Sequence, residues 1–168
     1  TINNGQVMPG WYDISMAELH RKPDEAGVRQ SQAAIEQLIA REIERGIPAD
    51  KIILAGFSQG GAIALQTGLR CREALGGIMA LSTYLTLDDS LAAEATIANA
   101  NIPILMAHGT QDPLIPLSLA VASRTKMEAR GYKVEWREYP MPHSLCMEEV
   151  EDIGAWIQAR FKSRILLA

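Results

Sequence analysis

The sequence has little cysteine, no long apolar run and no surplus of positive charge, and each shortage narrows what the chain does. Its two cysteines, Cys71 and Cys146, form no C-x-x-C pair, so they suggest neither a disulfide framework nor a zinc knuckle and read as buried structural thiols. No stretch approaches the roughly 18 apolar residues that cross a bilayer, and the opening "TINNGQVMPG" has neither the charged nor the apolar part of a secretory signal. Stable membrane insertion is not expected, and the chain reads as a soluble cytoplasmic protein. Sixteen Lys and Arg against twenty Asp and Glu leave a net charge of -4 without a basic stripe to hold nucleic acid by its phosphates. The three histidines, His20, His108 and His143, are scattered with no H-E-x-x-H pattern, so no metal site is expected.

What is present is enough apolar residue for one core: 48% of 168 residues, which predicts a single domain over residues 1–168. Val28, Ile35, Leu38, Ile39 and Ile43 recur at helical spacing between Asp24 and Arg45, with Gly46 and Pro48 as stop signals. "KIILAGF" (51–57) is apolar on both faces, as a strand covered by helices on either side would be. A helix should begin near Gln59. "GGIMALST" (76–83) and "IPILMAHG" (102–109) read as two further strands, and Pro116 and Gly131 bracket a helix. "KVEWREY" (133–139) alternates apolar with charged residues, as a strand near a sheet edge does, and Cys146, Val150, Ile153, Ile157 and Phe161 line one face of a closing helix. The alternation predicts an α/β fold with a mainly parallel sheet and helices on both faces. Reactive groups in such sheets gather beyond the carboxyl ends of the strands.

Three residues occupy that rim. Ser58 follows the first strand inside "AGFSQGGA" (55–62), Asp112 follows the third in "HGTQDP", and His143 follows the fourth in "PMPHS". The order Ser, Asp, His on a G-x-S-x-G turn is that of the α/β hydrolases. A serine hydroxyl needs a base, and the base needs a partner to fix its tautomer; His143 and Asp112 are placed for those roles. Gly56 and Gly60 are expected to make room for the sharp strand-to-helix turn, Gly61 to allow still closer packing, and the Gln59 backbone N–H to serve as one oxyanion donor. Other readings remain. Ser58 with Gly60 and Gly61 could cradle a phosphate, although neither phosphate fingerprint is present. Asp112 could be a turn residue before Pro113, and His143 a surface residue in a proline-rich loop. Asp88 and Asp89 rival Asp112 but follow the wrong strand. His108 reads as a core histidine placed where it could support the acid loop, and His20 as solvent-facing.

Taken together, "VMPGWYDI" (7–14), "KIILAGFSQGGA", "GIMALSTYL", "HGTQDPLIP", "EYPMPHS" and "IGAWI" resemble the carboxylesterase and acyl-protein thioesterase group of α/β hydrolases, the phospholipase/carboxylesterase family, over nearly the whole chain. The resemblance implies a cofactor-free serine hydrolase with Ser58, Asp112 and His143 as its triad. Short- to medium-chain carboxylic esters are the leading substrates, as small molecules, with thioesterase or lysophospholipase activity as the alternative. Leu85, Leu114, Ile115 and Met141 fall in loops where they could line an acyl pocket. A homo-oligomer is compatible with the sequence.

The chain departs from the family in two places. Thr86 stands where relatives commonly carry proline after "STYL". No H-G-x-G-type segment or additional strand precedes residue 51, so half of the oxyanion hole is unaccounted for, a loss of roughly 2.7–4 kcal/mol in such enzymes. The strand at 51–57 would then present an exposed apolar edge. With Thr1 in place of Met, the expectation is that further N-terminal residues lie in the same or another chain; a non-catalytic, hydrolase-like binding fragment is the rival reading.

Overall fold

The computed structural model describes residues 9–13 and 24–162. Helix α1 (Glu25–Glu44) starts where Asp24 Oδ1 accepts the Gly27 N–H at 2.9 Å, a side-chain cap for an otherwise unsatisfied donor. It ends where Gly46, at φ +94°, lets its own N–H reach the Ile43 carbonyl and that of Ile47 reach Glu42. A single 3-10 turn then leads into β1 (Ile53–Phe57), followed by α2 (Gln59–Gly68), β2 (Gly77–Leu81), α3 (Asp88–Glu94), β3 (Ile104–Gly109), α4 (Leu117–Glu128), β4 (Val134–Tyr139) and α5 (Met147–Lys162). The helices and strands read from the sequence are all present within a few residues. The short α3 was not individually legible, because its apolar content is too small to show a period.

The four strands pair in parallel in the order β1-β2-β3-β4, so all their carboxyl ends open onto one rim. Alternate residues feed two cores. Ile78, Ala80, Ile104 and Met106 meet Ile39 of α1, Leu65 of α2 and Met127 of α4 on one face. Met79, Leu81 and Leu105 meet Trp156 of α5 on the other. The charged strand β4 is an edge of the described sheet, as its alternation implied. The Arg29 guanidinium holds the Glu94 carboxylate down to about 2 against the cost of burial, with Arg70 and Ser90 adding to the pull, so α1, α2 and α3 are clipped together.

Three expectations are corrected. Strand β1 is not covered on both faces: it is the other edge of the described sheet, and Ala55 and Phe57 are exposed. On α1 the buried stripe runs through Val28 and Ile39 while Leu38 is 52% exposed. On α5 Val150 and Phe161 point outward, and Trp156 takes the buried position. Of the two unpaired cysteines, Cys71 is buried and Cys146 only half-buried.

Candidate active site

Ser58 stands between β1 and α2 at φ 55°, ψ -123°, a left-handed conformation costly for a residue with a side chain. Neighbours hold it there. Its N–H donates to the Leu81 carbonyl at 2.8 Å, and its carbonyl accepts the Thr83 hydroxyl at 2.7 Å, so the end of β2 clamps the turn from below. A Cβ at Gly56 would lie 2.1 Å from the Gly60 carbonyl carbon, and one at Gly61 would lie 2.7 Å from Thr83 Cγ2. Gly60 itself has room, its nearest neighbour being Trp11 Nε1 at 3.5 Å. The expectation that Gly60 is bare for want of space is therefore corrected: the crowded positions are Gly56 and Gly61.

Asp112 and His143 meet. Oδ2 of Asp112 accepts the His143 Nδ1–H at 2.6 Å, and Oδ1 accepts the backbone N–H groups of Leu114 and Ile115, each at 2.9 Å. Burial acts to raise the Asp112 pKa, but the Ile115 N–H, His143 and the Leu114 N–H outweigh it and hold the carboxyl below its ordinary value. The main chain arranges the meeting: Thr110 N–H donates to the Tyr139 carbonyl and Gln111 N–H to that of Met141. Gly109 permits it, since a Cβ there would sit 2.4 Å from the Met141 oxygen. Phe57, immediately before Ser58, packs its ring 4.7 Å from the His143 ring, which seats the imidazole beside the last residue of β1. The Asp112 side chain is fully buried and that of His143 13% exposed, so one end of the pair is sealed and the other faces solvent.

As first residue of α2, Gln59 has a backbone N–H with no acceptor inside the helix. Its side chain, which sequence reasoning left without a task, accepts from the Trp11 N–H at 3.3 Å and donates to the Tyr12 carbonyl at 2.9 Å, tying residues 11–12 to the turn. The four candidate pocket residues are not gathered into one cluster. Leu85 belongs to the core under α1, α2 and α4, Met141 to the core under α5, Ile115 is buried and Leu114 is exposed. Asp88 pairs with Lys126, away from His143. His20 lies outside the described residues.

The sequence profile of the phospholipase/carboxylesterase family matches residues 1–161. The chain belongs to that family. With membership come the α/β-hydrolase fold and serine hydrolase chemistry. Among curated relatives in the family, acyl-protein thioesterase 1 of Neurospora crassa is 44% identical over 95% of this chain and 69% of its own length, and that of Gibberella zeae is 39% identical over 94% and 71%. The crystal structure of Arabidopsis thaliana SOBER1 superposes with a TM-score of 0.89 at 29% identity, covering 95% of this chain and 78% of that one. The residues at the site that sequence reasoning missed, Thr83 and Gly109, act across strands and carry no local signature.

Proposed function

We propose that the protein hydrolyses acyl thioesters, including those on acylated proteins, and carboxylic esters of short to medium chain, through an acyl-enzyme intermediate on Ser58. The observation that carries this reading is the 2.6 Å Asp112–His143 bond on the same rim as the strained Ser58 turn. With the hydrogen on Nδ1 committed to Asp112, His143 Nε2 is left as the base. Ser58 Oγ attacks the acyl carbonyl as Nε2 takes its proton; the imidazolium returns that proton to the departing thiolate or alkoxide. Water then attacks the acyl-enzyme by the same route and releases the carboxylic acid. The Gln59 N–H, at the positive end of α2, stabilises the oxyanion. Leu114, exposed next to Asp112, is the pocket candidate best placed to touch an acyl chain.

The thioester part of the proposal is supported by the relatives, which are acyl-protein thioesterases, and lysophospholipids are a third substrate class for the same chemistry. A cytoplasmic setting belongs to this proposal, in keeping with two unpaired cysteines; among the described residues no helix is long and apolar enough to cross a membrane. The test is labelling by a fluorophosphonate probe with turnover of matched thioester and oxyester substrates. Ser58→Ala is expected to abolish both while the thermal transition stays within a few degrees. A folded sample that neither labels nor turns over would favour the binding-fragment reading.

A further inference from the structure

Two buried polar atoms near the Asp112–His143 pair have no hydrogen-bond partner among the described residues: His108 Nδ1 and Ser82 Oγ. His108 is 1% exposed near the end of β3. Its other ring nitrogen, Nε2, lies 2.9 Å from the Ile115 carbonyl oxygen and 3.5 Å from Asp112 Oδ2. A carbonyl only accepts, so Nε2 carries the hydrogen. That hydrogen closes the 112–115 turn onto β3 and faces the same carboxylate oxygen that His143 uses. Nδ1 is left as a sealed lone pair, which is costly without a donor.

The sheet brings a donor alongside. Where Ile78 is paired with Ile104, its N–H reaches the Pro103 carbonyl; the Ser82 N–H reaches the Ala107 carbonyl with the same offset, so Ser82 stands opposite His108 at the rim. Ser82 is fully buried and sits at φ 46°, a strain that is uncommon outside glycine and concentrates at functional sites. A hydrogen bond from the Ser82 hydroxyl to His108 Nδ1 would give both orphaned atoms a partner.

We propose that Ser82 and His108 are positioning residues for the reaction: the Ser82 hydroxyl donates to His108 Nδ1, which keeps the hydrogen on Nε2, and that hydrogen holds the Ile115 carbonyl, closing the turn whose Leu114 and Ile115 N–H groups fix the Asp112 carboxylate that aims His143. The proposal rests on the serine hydrolase reading of Ser58, Asp112 and His143. Losing the Nε2 donor loosens the 112–115 turn, so its Leu114 and Ile115 N–H groups hold the Asp112 carboxylate less well, the carboxylate binds the His143 imidazolium more tightly and the acid side of the rate profile moves to higher pH.

Nitrogen-15 NMR of the histidine-labelled protein tests the first step. The expected result is an Nε2–H tautomer for His108, with an Nδ1 signal that shifts toward an unbonded ring nitrogen in Ser82→Ala. In kinetics, Ser82→Ala and His108→Leu are expected to lower kcat roughly tenfold or more with KM little changed, the magnitude of one lost hydrogen bond. His108→Gln, whose amide Nε2 can reproduce the donor, is expected to recover most of that loss and the original pH profile. An Nδ1–H tautomer in the unsubstituted protein overturns the proposal, as does a folded His108→Leu variant with unchanged kcat and pH profile. If His108→Leu fails to fold, the tautomer and Ser82→Ala decide. Loss of probe labelling in Ser58→Ala alongside unchanged kinetics in Ser82→Ala and His108→Leu overturns this proposal alone, whereas turnover by Ser58→Ala overturns the catalytic reading beneath it.

Discussion

Gly56 and Gly60 hold symmetrical places around Ser58, yet only one is squeezed by its surroundings. A methyl group at Gly56 would lie 2.1 Å from the Gly60 backbone, which cannot yield without unseating the turn; at Gly60 it would meet an indole nitrogen at 3.5 Å, an ordinary contact. Gly56→Ala is therefore expected to cost at least the roughly 1–3 kcal/mol of an overpacked core and to abolish probe labelling, while Gly60→Ala shifts the thermal midpoint little. Equal losses in the two variants would contradict this account. The serine turn and the Ser, Asp, His order were legible because each signal is local: a bare turn after an apolar strand, an acid and a base after later strands. The close packing at Gly61 was legible too, but its partner was not: it is Thr83, just past the end of β2, which no spacing rule connects to Ser58.

Among the elements, α5 shows where periodicity misleads. Its sequence offers Val150 for the core, but Val150 is 46% exposed and the carboxylic side chain of Glu149 is buried in its stead, with both oxygens unpartnered among the described residues. A charged residue on a buried stripe contradicts the rule by which helix faces are read, so this placement was invisible beforehand. Burial pushes the Glu149 carboxyl up to about 7, against a smaller pull from the Cys146 backbone N–H, which does not reach hydrogen-bonding geometry. The sign follows. The unfolded chain gives up this proton near the ordinary value of 4.5 and the folded chain only near 7, so stability is greatest below the lower value and falls as pH rises between them. Glu149→Gln is expected to flatten that decline, gaining up to roughly 2–3 kcal/mol relative to the unsubstituted protein at pH 8 in urea titrations. Parallel stability curves for the two proteins would show that Glu149 is ionised in its buried setting or finds a partner there. Helix α1 was legible because its ends carry chemistry as well as period, Asp24 at its start and Gly46 as a left-handed stop.

For the molecule as a whole, alternation of strand and helix made the parallel sheet legible, and the charges of β4 marked one margin. The second margin is less guarded. Beside β1 runs a groove of about 250 Å³ lined by Leu38, Ile53, Ile63 and Trp11 among others, next to a strand with no neighbour on that side among the described residues. Such an edge invites another strand. A sample of these 168 residues is expected to self-associate with rising concentration in light scattering, and Ala55→Lys or Leu38→Glu to suppress it; a monodisperse monomer at high concentration would mean that the margin is already covered. At the opposite side of the rim the main-chain bonds from Thr110 to Tyr139 and from Gln111 to Met141 have a different effect. Because amide links as well as the Asp112–His143 pair bind the two loops, acid and base travel together as one plate. Breathing of the rim changes only the gap between that plate and the serine, and the Thr110 and Gln111 amides should therefore exchange their hydrogens in step.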